Sequence, residues 1–99
     1  RASTLFSDVR FFQYALAGVL SKIALSRARD GALQEALGYA LLIPKVSDTG
    51  RTLESIAFIQ AKGGDVDGVF RWITAAQLPS QKVFALKGVA SALTLKEKR

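Results

Sequence analysis

Asp65 and Asp67 are the nearest thing in this chain to a reacting pair. Two carboxylates one residue apart could share a proton or hold a cation, but a metal ion needs more oxygen ligands than these two provide. Both stand just after Gly63-Gly64, where a helix is expected to start and where free N–H groups favour negative charge. Helix capping is therefore the better account of them. The run Lys62-Gly63-Gly64-Asp65 is rich in glycine, yet it lacks the Gly-x-x-x-x-Gly-Lys-Ser/Thr order of a phosphate loop. The 99 residues include no histidine and no cysteine. The usual general base near neutral pH and the thiol nucleophile are thus both missing. The expectation is a non-enzymatic chain with no catalytic, cofactor-binding or metal-binding residues.

Binding is the work that remains, and the order of the residues points the same way. The pattern Leu-x-x-[Ile/Val]-Ala occurs at Leu20–Ala24, Leu53–Ala57 and Leu86–Ala90, with the same step from each copy to the next. A constant period of this size, about 33 residues, marks a repeat array. Arrays of helical repeats usually present binding surfaces.

Apolar spacing of three and four predicts helices throughout, and no alternating strand pattern persists. Ser7 or Asp8 can cap a first helix that runs to about Arg29 and carries Phe12, Leu16, Val19, Leu20 and Ile23 on one side. Asp30 can cap a second, with Leu33, Ala36, Leu37, Ala40 and Leu41, ending before Pro44. A connector over Pro44–Gly50 offers Ser47, Asp48 or Thr49 as caps for a third helix bearing Leu53, Ile56, Ala57 and Gln60. Gly63-Gly64 should stop that helix, and Asp65 should cap a fourth with Val66, Val69, Phe70, Ile73 and Ala76 inward. Pro79 should break the chain again. Ser80 then caps a fifth helix with Val83, Leu86, Val89, Ala90 and Leu93.

The second unit, Leu53-x-x-Ile56-Ala57 followed by Gly64-Asp65, Val69, Ile73 and Ala76, resembles a tetratricopeptide repeat. The likeness extends through Ala24, Ala36, Ala40 and Ile43 in the first unit and through the first helix of the third, covering about residues 17–95. It departs from that family at Val69, where a small residue is usual, at Gln81, where a proline is usual, and in the absence of the signature Trp and Tyr. Pentatricopeptide repeats and an unrelated array of helical hairpins remain alternatives. The resemblance implies an all-α fold. About five helices would form antiparallel hairpins stacked as a short right-handed α-solenoid of two and a half units, in one domain spanning 1–99.

Stepping by one period sorts the first helix of each unit into ladders: Gly18, Arg51 and Phe84; Ser21, Glu54 and Lys87; Leu25, Phe58 and Ser91. In tetratricopeptide arrays this face lines a concave groove that holds a peptide. The implied partner-binding residues are Leu25, Arg51, Glu54, Phe58, Lys62, Phe84, Lys87 and Ser91. Aromatic anchors flanked by cations suit a protein or peptide partner that is partly acidic. The competing reading has Phe58 and Phe84 packed against neighbouring helices, and Arg51 and Lys62 as solvated charges. Arrays also need polar ends. Leu86, Val89 and Leu93 are therefore candidates for self-association into a homo-oligomer, as are Phe11 and Tyr14 at the other end.

The formal net charge is +6. Arg1 contributes one unit and Lys96–Arg99 a net two, leaving +3 for the rest. RNA or another nucleic acid held on a basic surface is the alternative function. Against it, Ser21, Glu54 and Lys87 show no regular base-selecting pattern. The most apolar stretch, Tyr14–Leu25, is broken by Lys22 and is too short to span a membrane. A soluble chain is expected, with the cytoplasm slightly favoured. Arg1 in place of an initiator methionine suggests a processed product or a fragment of a longer chain.

Overall fold

Five α-helices and no strands make up the described chain: α1 (Ala2–Arg29), α2 (Leu33–Leu41), α3 (Val46–Lys62), α4 (Val66–Ala75) and α5 (Pro79–Glu97). The computed structural model describes residues 2–76 and 79–97, with side chains over 11–76 and 79–95. Arg1, Lys98 and Arg99, counted above in the terminal charge, lie outside the described residues.

The helix ends differ from expectation in ways that local chemistry explains. α1 is already helical at Ser7 and Asp8, so neither is its cap. It closes at Gly31, whose φ of +85° lets the Gly31 N–H reach the Ala28 carbonyl and the Ala32 N–H reach that of Arg27, at 3.1 and 2.8 Å. These are the paired bonds of a Schellman closure. Asp30 is absorbed into that turn, and Ala32 stands at the start of α2 without a side-chain cap.

The same closure ends α3. Gly64, at φ +102°, bonds the Ala61 carbonyl, and the Asp65 N–H bonds that of Gln60, at 3.0 and 3.1 Å. Here the next residue does cap. An Asp65 carboxylate oxygen accepts the Gly68 N–H at 3.0 Å and starts α4. α3 itself begins at Val46 after an extended Lys45, which shortens the expected connector and puts Ser47, Asp48 and Thr49 inside the first turn. Thr49 is buried there, and its hydroxyl donates to the Ile43 and Lys45 carbonyls at 3.0 and 3.1 Å. Pro79 opens α5, as suits a residue with a fixed φ and no N–H to satisfy. Ser80 is therefore within the helix and is not its cap.

α3 is the central element. It packs against α1, α2, α4 and, most extensively, α5, while among the described residues the backbones of α1 and α5 make no close approach to each other. Among the described residues, nine of the sixteen buried apolar side chains are alanines. The core thus consists of closely approached helix backbones more than of interlocked large side chains. Ile56 and Val69 are the largest side chains fully buried.

Several expected core positions are exposed. Phe12 and Val19 on α1, Leu41 on α2, Phe70 on α4, and Val83, Leu86 and Leu93 on α5 all face outward. α1 instead buries Ala17, Leu20, Ala24 and Ala28, and α5 buries Ala85, Val89 and Ala92. In both helices an apolar stripe exists on each of two sides, and only one side meets a neighbour.

Candidate partner-binding groove

α3 forms the floor of an open groove of about 550 Å³, with α1 along one side and α5 along the other. Five of the eight expected binding residues meet in it: Leu25 from α1, Glu54, Phe58 and Lys62 from α3, and Ser91 from α5. Arg29, Ser55, Ile59 and Gly88 complete the lining. They come together because Leu25 and Arg29 occupy the last turns of α1, while Phe58 and Lys62 occupy the last turns of α3. Both cations also suit the negative ends of their helices.

Arg29 is not among the residues expected from the ladders, although it lies one period before Lys62. The same stepping, carried one turn further, finds it. Gly88 carries no side chain to suggest a binding role. It borders the groove because α5 approaches α3 there at backbone distance: a Cβ at Gly88 would overlap the Glu54 carbonyl oxygen.

The other three expected residues lie elsewhere. Arg51 borders a second, smaller hollow of about 290 Å³ together with Tyr14, Gly18, Ser21 and Asp48. Ser55 borders both hollows. Thr52 anchors this second region, its hydroxyl bonding Ser21 Oγ at 3.0 Å across α1 and α3. Phe84 does not line the groove. Its half-buried ring lies directly over Gly50 of α3, filling the space a side chain there would take, so packing accounts for it. Lys87 follows Phe84, with its ammonium 5.3 Å from that ring's centroid.

Within the groove, Lys62 holds its ammonium 5.8 Å from the centroid of the Phe58 ring. Such a pair offers an apolar surface with a cation at its edge, and the contact itself contributes about 0.5–1 kcal/mol when exposed. Phe58 and Leu25 are half-buried and each packs in part against a buried core cluster, as the competing reading has it for Phe58, whereas Arg29 and Lys62 are exposed. The groove can therefore receive an apolar side chain and an anionic group side by side.

Of the three residues expected to mediate self-association, Val89 is excluded. It is 3% exposed and belongs to the core shared by α3, α4 and α5. Leu86 and Leu93 are 44% and 43% exposed, and at the other end Phe11 and Tyr14 also face outward.

Asp65 has a structural task. Gln60 Nε2 donates to one carboxylate oxygen at 2.8 Å and the Gly68 N–H donates to the other at 3.0 Å. These two bonds, helped by the charge of Arg71, hold the carboxyl below its ordinary pKa against a smaller opposing effect of desolvation. Asp67 is exposed, and among the described residues no three carboxylates gather as a metal-binding group. Among those residues, too, no helix is long and apolar enough to cross a membrane. Set against protein-family models, curated proteins and solved structures, the chain matches none of them.

Proposed function

We propose that this chain is a non-enzymatic protein-interaction module, a short right-handed α-solenoid of tetratricopeptide-like hairpins that holds a segment of a partner protein along its groove. The observation that carries the reading is a repeated pair. Leu25 with Arg29, and Phe58 with Lys62, stand one repeat period apart in sequence and line the same concavity. An apolar group with a cation four residues later, presented twice, fits a partner segment with apolar anchors and acidic groups between them.

The helix ends support a repeating unit. α1 and α3 end one period apart, at Arg29 and Lys62. α2 and α4 start at Leu33 and Val66, and α3 and α5 at Val46 and Pro79, with the same separation. Short connections favour antiparallel neighbours, and each even-numbered helix contacts the odd-numbered helices before and after it.

The test is selection of ligands from a library of short displayed peptides, followed by affinity measurement on variants. Peptides combining apolar and acidic residues are expected. Phe58→Ala should weaken them by roughly tenfold or more, equivalent to about 1.4 kcal/mol, with little change in thermal unfolding. If Phe58→Ala unfolds the chain, the residue is core and the groove reading fails. Capture of a single-stranded RNA oligonucleotide, weakening about a thousandfold or more between ~50 and ~200 mM salt, would put the net charge of +6 to work and favour RNA instead.

A further inference from the structure

We propose that the smaller hollow between α1 and α3 is a receptor for a tyrosine side chain of the partner segment. The inference rests on the interaction function proposed above and concerns a different part of the surface. Two contacts are related by the repeat period. Phe84 of α5 lies over Gly50 of α3 and fills the space beside it. One period earlier the same two positions are Arg51 of α3 and Ala17 of α1, and both border the hollow of about 290 Å³. Where α5 brings a ring to close its contact with α3, α3 brings an exposed Arg51 to α1, and the space stays open. Both walls of the hollow belong to described helices, and the residue that the period assigns to fill it is Arg51 itself.

The lining decides what can enter. A Cβ at Gly18 would meet nothing within 4 Å, which leaves room on the α1 side. Pockets for whole small molecules start at roughly 300 Å³, so a hollow of about 290 Å³ suits a single side chain. An aromatic ring fits best. A guanidinium is planar and stacks on aromatic faces, and Arg51 and Tyr14, both exposed, border the space. The Thr52 hydroxyl is already engaged by the Asp48 carbonyl and Ser21 Oγ, at 2.9 and 3.0 Å. The half-buried Asp48 carboxylate and Ser55 hydroxyl remain for a ligand. A carboxylate only accepts, so a ring with an O–H at its far end, which is tyrosine, matches the site. The same carboxylate opposes a phosphate beside it, which weighs against a nucleotide base as the occupant.

Ser55 borders both this hollow and the groove, so one segment can reach both. Arg51 and Phe58 stand seven residues apart on α3, roughly 10 Å along the axis at ~1.5 Å per residue. An extended segment covers that distance in about three residues at ~3.3 Å each. The tyrosine therefore lies about three residues from the apolar anchor that meets Phe58.

The experiment titrates N-acetyl-tyrosinamide into the isotope-labelled full chain and follows the backbone amide shifts. N-acetyl-phenylalaninamide, N-acetyl-leucinamide and adenosine monophosphate serve as comparison probes. Shifts are expected at Gly18, Ser21, Arg51 and Ser55, with the tyrosine probe binding roughly threefold or more tightly than the phenylalanine one and the leucine probe giving little response. Arg51→Phe should abolish the response, because its own ring would then close the hollow as Phe84 closes the space at Gly50. Gly18→Leu supplies a second block if that variant fails to fold. Phe58→Ala should leave the response intact, so failure of the hollow and failure of the groove can be told apart. Among peptides that bind the groove, a tyrosine three residues from the apolar anchor should raise affinity in the unaltered chain and not in Arg51→Phe. The proposal is overturned by absence of shifts at the four amides, by a leucine or phenylalanine response equal to that of tyrosine, or by a response that survives both blocking variants. A tyrosine that adds nothing to groove-binding peptides would also overturn it. So would tighter binding of adenosine monophosphate than of the tyrosine probe, since the hollow would then be a base site.

Discussion

Gly88 sets how closely α5 lies against α3. A Cβ there would overlap the Glu54 carbonyl oxygen and sit 3.0 Å from both the Ala57 Cβ and the Phe58 nitrogen. Two of those three atoms are backbone and cannot turn aside. Helix propensity alone would make Gly88→Ala favourable by about 0.8–1 kcal/mol. Overpacking should win, giving a net destabilisation of about 1–3 kcal/mol, measured by denaturant unfolding. Gly50→Ala is the control. The three atoms nearest its Cβ would all belong to the Phe84 ring, a half-buried side chain that can swing toward solvent. Gly50→Ala should therefore cost less than Gly88→Ala. Equal stability of the two variants would contradict the close approach at Gly88.

Between helices, the turn from α3 into α4 is held by a chain of polar contacts. Trp72 Nε1 donates to Gln60 Oε1 at 2.9 Å, and Gln60 Nε2 donates to Asp65 at 2.8 Å. Gln60 is buried, and having a partner at each end of its amide is what makes that burial tolerable. The cap has a pH signature. The folded pKa of Asp65 lies below the ordinary aspartate value of 3.8, so the ionised carboxylate is favoured in the folded state. That stability is fully present above the unfolded pKa and is lost as pH falls through the folded one. Thermal melts should thus show stability declining below about pH 4. Asp65→Asn keeps a capping oxygen but removes the titration, and it should flatten that part of the profile. An unchanged acid slope in Asp65→Asn would mean other carboxylates set it.

The molecule is elongated. It measures 55 × 26 × 25 Å, with a radius of gyration of 14.9 Å, against about 13 Å for a compact domain of this length. The cause lies in how the helices pack: among the described residues each helix backbone approaches only helices one or two places away in sequence, and α1 and α5 stay apart on either side of α3. α1 adds to the length, since 28 residues at ~1.5 Å each make a rod of roughly 42 Å, far longer than α2 can cover. Small-angle scattering of the monomer should return a radius of gyration near 14.9 Å. A smaller value matching that of the compact domain, with helicity unchanged, would show that the helices fold back into a tight bundle.

Features whose causes lie within a few residues could be read from the order of amino acids alone. The spacing of apolar side chains implied helices. Gly64 ended α3 and Asp65 capped α4 because a positive φ and a short acceptor are local requirements. Gly31 carries the same local signal, and its positive φ takes Asp30 into the closing turn of α1 instead of leaving it as a cap for α2. Which apolar residues are covered was settled only by packing between distant segments. Leu53 and Leu86 occupy the same place in the same pattern, yet one is buried and the other exposed, because burial depends on whether another helix arrives. The groove divides the same way. Of the residues grouped by the sequence period, by helical projection and by the tetratricopeptide resemblance, Leu25, Glu54, Phe58, Lys62 and Ser91 line one concavity, whereas Phe84 shares the pattern and packs over Gly50. A period gives equivalence of position, but what a side chain touches is set by the helices on either side of it.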